Sequence, residues 1–245
     1  MMRSCKELKR IARENLSGHY NTPMGAFLAA GFITFAIELP FSMLLQNQYA
    51  TTFQMVLFYV VDFLIALVGI VLNAGVSDIH LRMGRHKEYR LSNMFGPIKT
   101  RPDRYLIAGF LATVIAFVMA LPLAAGVVIA VMNPTVERIL LAVGLGLLSA
   151  ALLVYLELRF SFVFYLLLDH EKMTTIDAYK VSFGLMKQNV GRLLYVYLSF
   201  IGMGLLGVIT LGIGMLWISP YQSQTLALFY LDVIGELPGA SEEID

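Results

Sequence analysis

Charge is scarce in this chain. Of 245 residues only 14% are Asp, Glu, Lys or Arg, while 58% are hydrophobic and the mean hydropathy is +0.72. A soluble domain is roughly a quarter charged, so a water-facing globule of this size is excluded. Cysteine is nearly missing too. The lone Cys5 rules out an internal disulfide, and the fold therefore needs no oxidising compartment. Cys5 lies close enough to the first apolar run to be acylated, with an inert cytoplasmic thiol as the plainer reading. The four histidines (His19, His80, His86, His170) are scattered outside the apolar runs. With no HExxH spacing and no Cys/His cluster, they speak against a metal site. There is no nucleophile elbow and no phosphate-cradling loop, and no cofactor is implied. The string GMGLLG has dinucleotide-binding spacing, but it lies inside an apolar run with no strand before it. Gly202, Gly204 and Gly207 therefore read as points of close helix approach. The net charge is +1 and its charges are segregated by connector, which leaves no basic patch for nucleic acid.

What is present is a series of long apolar runs. About 20 apolar residues cross ~30 Å of hydrocarbon. Runs of that kind cover 24–45, 53–79, 106–132 and 139–168, and a last stretch covers 193–235. Division of that stretch at Thr210–Gly214 yields spans 193–210 and 214–235, with Pro220 early in the sixth helix, where a missing N–H is tolerated best. A break at Ser219-Pro220 would leave a piece too short to cross. The short connectors 46–52 and 133–138 make tight hairpins. The first run is longer than a signal h-region and follows a leader in which Glu7 and Glu14 mix with basic residues, so it is expected to be an uncleaved span.

Sixteen of the eighteen Lys and Arg residues fall in the leader and in the connectors 80–105 and 169–192, which are all on one side of a six-span arrangement. By the positive-inside rule that side is cytoplasmic. Both termini are then cytoplasmic, including the acidic tail 236–245 with Glu236, Glu242, Glu243 and Asp245. The leader, 1–23, reads as an amphipathic helix. Ser4 and Glu7 have capping-box spacing, Leu8, Ile11, Ala12, Asn15 and Leu16 form one face, and Gly18 is the stop. Such a helix suits a membrane surface with anionic head groups. A second segment has Thr174 and Asp177 at capping spacing and an apolar face of Ile176, Tyr179, Phe183, Met186 and Val190. A third covers 91–98. Three units are suggested, each an amphipathic segment followed by a hairpin.

Ionisable groups inside a bilayer are the entry to function. Glu38 and Asp62 lie about 21 and about 25 Å from the inner ends of their spans at ~1.5 Å per residue, at similar depth on paired helices. If close, they could not both ionise cheaply, which suits proton or cation handling. The plainer reading is local: a protonated Glu38 satisfies a carbonyl freed by Pro40, and Asp62 makes a polar contact. Glu157 and Arg159 lie near the inner end of the fourth span. They are two residues apart and cannot pair with each other. Arg159 is expected to snorkel or to meet Asp78 or Asp232 in an ion pair at the inner ends. Polar Ser219, Gln222, Ser223, Gln224 and Thr225 line the sixth run, with Trp217 and Tyr221 suited to an aromatic belt.

The opening LKRIARENLSGHY, the segment LRFSFVFYLLLD at 158–169, and the stretch from IDAYKVSFGLMKQNV to GIGMLWISPYQSQTLALFY at 176–230 resemble an uncharacterised bacterial integral membrane family, domain of unknown function nine-seven-five. That family's pattern has an aromatic-rich RYS helix, a S..LMK amphipathic helix, GIG.LW..PY and a terminal FY. Phe160 departs from it, where the pattern favours Tyr. The likeness covers the C-terminal half well and the N-terminus moderately. From 47 to 135 it is one of hydropathy only. It implies the six-span plan and a bacterial cell membrane, and no activity.

The expectation is therefore one all-α membrane domain, 1–245, with six transmembrane helices in three hairpins and cytoplasmic amphipathic helices. Its partners are the bilayer and anionic head groups, with a protein partner or a second copy left open. The favoured function is non-enzymatic membrane organisation or partner binding. A small transporter using Glu38 and Asp62 is the alternative, and a lipid-acting enzyme ranks last.

Overall fold

The computed structural model describes residues 2–45 and 51–237. Connector residues 46–50 and the tail beyond 237, with Glu242, Glu243 and Asp245, lie outside the described residues. All regular structure among the described residues is helical.

Helix α1 is Cys5–Leu16. Ser4 caps it by accepting from the Glu7 N–H, and Gly18 adopts φ 74° just after it, a conformation glycine reaches without strain. Leu8, Ala12 and Leu16 recur every four residues and are fully buried. They join the core beside α11 (Met215–Val233) and α9 (Val190–Leu198). The sequence places this apolar face on the membrane surface. It is instead inside the protein, because α11 offers it a matching apolar face.

Helices α2 (Asn21–Leu45) and α3 (Thr52–Gly84) pack along each other. Thr51 and Gln54 form a capping box at the start of α3. The helix runs past residue 79, where the apolar run ends, to Gly84. That extension corrects the placement of all four histidines outside the spans, since His80 is fully buried within α3. Gly75 lets the backbone of a 3-10 turn, Leu91–Phe95, lie directly on α3, with the Met94 carbonyl against the position a Cβ would take. The third amphipathic segment is this turn together with the short α4 (Gly96–Thr100), with Met94 and Pro97 buried.

Helices α5 (Pro102–Met132) and α6 (Val136–Phe160) form a long pair. Its contact is made of small residues: a Cβ on Gly126 would come within 2.9 Å of the Ala142 Cα. Next to Pro122 the Leu123 N–H donates to Ser149 Oγ at 3.1 Å, a cross-helix bond of the kind that holds helices together in lipid. The chain breaks after Phe160 and resumes as α7 (Val163–Asp169). Ser182 Oγ bridges that break, accepting from Phe162 N–H at 3.3 Å and donating to the Arg159 carbonyl at 2.9 Å.

Ser182 belongs to α8 (Thr175–Leu185), capped by Thr174. The buried face of α8 is Thr175, Ala178 and Ser182, while Ile176 and Phe183 are exposed. This differs from the apolar face expected from the sequence. Small residues let α8 come close to α6 and α7, which turns the large apolar residues outward. After α9 the chain bends into α10 (Ile201–Ile209). The turn to α11 uses Leu211 at φ 53° and Gly212 at φ 89°, and Thr210 Oγ1 accepts from Gly214 N–H at 2.9 Å.

Five stretches among the described residues are long and apolar enough to cross a membrane: Asn21–Met43, Thr52–Gly84, Pro102–Met132, Val136–Asp169 and Val190–Ile209. The sixth run, α11, is not one of them, because its polar residues from Ser219 to Thr225 lower its hydropathy. Its second half is deeply buried, with Ala227, Leu228, Phe229 and Tyr230 fully enclosed. The core lies at the end that carries the basic connectors. At the opposite end Phe53, Val131 and Leu211 are exposed, and so are Phe35 and Leu147 midway along their helices.

Candidate functional site

The polar groups meet at the basic end. The left-handed turn at His86 (φ 52°) closes α3 and sets Arg85 facing the C-terminus of α7. Arg85 Nη1 and Nη2 reach Asp169 Oδ1 and Oδ2 at 2.6 and 2.7 Å, and Arg85 Nε reaches Glu236 Oε2, just past α11, at 2.6 Å. Tyr230 donates its hydroxyl to Asp169 Oδ2 at 2.8 Å. The Asp169 hydrogen bonds, with Glu236 adding to them against the opposing effect of burial, hold the Arg85 guanidinium above its ordinary pKa. One residue thus ties the ends of α3, α7 and α11 together. Beside it opens a cleft of about 1020 Å³, lined by Arg82, Lys87 and His170 as well as by the ion-paired group, with Leu166, Leu185 and Ile234 on its apolar walls.

A second cluster joins the N-terminus to α9 and α11. Arg192 Nη2 lies 2.6 Å from Asp232 Oδ2 and donates to the Arg3 carbonyl at 2.7 Å, while the Arg3 N–H donates to Asp232 Oδ1 at 3.1 Å. Cys5 Sγ donates to the Arg192 carbonyl at 3.6 Å. Burial pushes the Cys5 thiol pKa up, with Arg192 opposing. Lys9 Nζ donates to the Ser199 carbonyl and to Ser199 Oγ, both at 3.1 Å, and lies 4.2 Å from the Phe200 ring centroid. It sits at the bend between α9 and α10, where helix carbonyls lose their partners. Burial, then Arg13, lowers the Lys9 pKa.

The other residues singled out from the sequence are dispersed. Asp78 pairs with Arg82 at 2.7 Å and Asp232 with Arg192, so neither carboxylate serves Arg159. Arg159 lies over the Phe183 ring, 3.5 Å from its centroid. Glu157 is exposed on α6. Glu38 and Asp62 are both exposed, no hydrogen bond or ion pair joins them among the described residues, and neither lines the cleft. Among the described residues no group of three or more His, Cys, Asp or Glu is placed to hold a metal ion.

Sequence reasoning missed Arg85, Asp169 and Tyr230, which sit in connectors or at a helix end far apart in the chain. It also missed the buried pair of His80 Nδ1 and Gln224 Oε1, 2.9 Å apart. A sign of the latter was available: Gln224 belongs to the polar stretch 219–225 within the last apolar run, which calls for polar partners.

A family model described as Protein of unknown function (DUF975) matches residues 1–236, including the stretch 47–135. No curated protein and no solved structure matches the chain.

Proposed function

The chain belongs to the family described as Protein of unknown function (DUF975), and since membership brings no activity with it, we propose from the geometry a non-enzymatic protein of a bacterial cell membrane that docks a protein partner at its basic end. In this reading α11 is a sixth span, screened from lipid by α1, α2 and α3, and its polar residues face protein. The spans form three hairpins, and both termini are cytoplasmic with the basic connectors. The bilayer and its anionic head groups are the surroundings of that face.

The single observation that carries the reading is the open polar cleft beside Arg85 and Asp169. Its charged groups hold each other in ion pairs, which suits binding, and apolar walls flank them as at protein docking sites. A transport role would rest on Glu38 and Asp62, and both stand on exposed helix faces away from the cleft. The test is photocrosslinking in cells from a reactive residue placed at Lys87 on the cleft rim, with Leu147 on the far half of α6 as control. A discrete protein adduct from position 87 alone supports docking. Absence of any adduct, together with a solute or proton flux in wild-type proteoliposomes that Glu38→Gln and Asp62→Asn abolish, supports transport instead.

A further inference from the structure

Elsewhere in this fold buried and half-buried arginine side chains are held by oxygen. Arg104 donates to the carbonyls of His170 and Met173 at 2.9 and 3.3 Å, and Arg192 has Asp232. Arg159 differs. Only 5% of it is exposed, yet among the described residues no hydrogen bond or ion pair reaches its guanidinium, and its buried Nε has no partner. Its neighbours are aromatic: the Phe183 ring at 3.5 Å and the Tyr155 ring at 5.8 Å. A desolvated cation–π contact returns less than the burial of an unpaired charge costs. The ring does not offset the burial. An anion would.

The depth of Arg159 identifies that anion. Counted from Val136, it lies about 35 Å along α6 at ~1.5 Å per residue, just beyond ~30 Å of hydrocarbon and so in the head-group layer. Towards the hydrocarbon from it, Val154 and Tyr155 are exposed on α6. Beside it α8 exposes Ile176 and Phe183, and the side chain of Lys180, one turn from Phe183, is 75% exposed. An apolar strip that ends in a buried guanidinium and an exposed lysine, whose Nζ lies 3.9 Å from Asp177 Oδ1 on the same helix, has the form of one lipid molecule, acyl chains first and phosphate last. Guanidinium presents a fork of donors that matches phosphate oxygens.

We propose that Arg159 binds the phosphate of an anionic phospholipid of the leaflet on the basic side, in a groove between α6 and α8 and with Lys180 as the second cation. This rests on the membrane reading above and is separate from the cleft.

The test uses the full chain in maltoside micelles doped with phosphatidylglycerol or with diacylglycerol, which shares the acyl chains and lacks the phosphate. Phosphatidylglycerol, and not diacylglycerol, is expected to raise the melting temperature of the wild type. Native mass spectrometry is expected to show one retained phospholipid per chain, with retention down roughly tenfold or more in Arg159→Gln, the loss of one charge-assisted contact. Arg159→Met keeps the stem and removes the unpaired charge, so it is expected to fold in lipid-free micelles at least as stably as the wild type and to show no phosphatidylglycerol response. Equal lipid retention with and without Arg159, a wild type indifferent to phosphatidylglycerol, or destabilisation by Arg159→Met in lipid-free micelles would each overturn the proposal. Full substitution of the lipid effect by inorganic phosphate would overturn the lipid as its source. Carbonate extraction of cell membranes separates the two failures: a chain released by carbonate defeats the membrane reading itself, and a chain retained but indifferent to lipid defeats this site alone.

Discussion

Arg85 and Asp169 meet through two parallel hydrogen bonds, Nη1 to Oδ1 at 2.6 Å and Nη2 to Oδ2 at 2.7 Å, although they stand 84 positions apart in the chain. Their side chains are 18% and 12% exposed. The pair therefore falls between an exposed one, which contributes ~0–1 kcal/mol, and a buried one, whose breakage costs ~3–5 kcal/mol. Asp169→Asn is expected to destabilise by about 2–3 kcal/mol, measured by thermal unfolding in detergent. Arg85→Lys keeps the charge but loses the fork, and is expected to recover less than half of the difference. Glu236→Gln, on the more exposed partner, is expected to change stability by less than about 1 kcal/mol.

Gly75 and Gly109 offer a graded test of helix packing. A Cβ at 75 would meet the backbone of Met94, which cannot swing aside, while a Cβ at 109 would meet Ile70 Cδ1, the far end of a side chain, at 2.8 Å. Gly75→Ala is expected to abolish folded yield or to cost more than ~3 kcal/mol, and Gly109→Ala ~1–3 kcal/mol, the usual range for overpacking. Equal tolerance of both, judged by size-exclusion profile and melting temperature, would contradict the close contact of the 91–95 turn with α3.

The first helix distinguishes a docked segment from a surface anchor. Leu8 and Leu16 are fully buried in the core. Leu16→Ala is expected to lose about 2–5 kcal/mol, as for a large-to-small core change. An anchor lying on lipid would lose stability only marginally. Lys9→Ala removes the donor at the α9–α10 bend and is expected to cost about 1–2 kcal/mol.

Helix identity, the caps at Ser4 and Thr174 and the break at 210–214 were legible in the sequence, because period, capping chemistry and glycine placement are local. The burial of α1 and the facing of α8 were not. An amphipathic pattern tells which residues avoid water, and lipid and protein core satisfy that demand equally. The ion pairs were half legible. Asp78 and Asp232 stood out as possible partners for Arg159, but the cations they meet, Arg82 and Arg192, looked like ordinary positive-inside residues. Arg159 stood out as a charge in an apolar run, and the ring of Phe183 had no signature by which it could be matched.

Cys5 gives a chemical probe of the N-terminal junction. Burial raises its thiol pKa above the ordinary value and its Sγ is bonded to the Arg192 carbonyl. The reactive form is the thiolate, so labelling of the folded protein by a maleimide at neutral pH is expected to be slower than that of the unfolded chain, and to rise toward higher pH than for a free thiol. Arg192→Gln also removes the cation that favours the thiolate, so faster labelling in that variant would report an opened junction and not a change in acidity.

The central claim is a membrane-spanning bundle with its basic connectors on one, cytoplasmic face and the turns at 134 and 211 on the other. Its most direct test is cysteine accessibility in intact bacterial cells, in a Cys5→Ser background, with single cysteines at Pro134, Leu211, Lys172 and Lys187. All four positions are exposed in the structure, so the side of the membrane decides the outcome. A membrane-impermeant maleimide is predicted to label Pro134→Cys and Leu211→Cys in intact cells, and Lys172→Cys and Lys187→Cys only after permeabilisation. Labelling of Lys172→Cys in intact cells, or protection of Leu211→Cys until cells are opened, would contradict that arrangement.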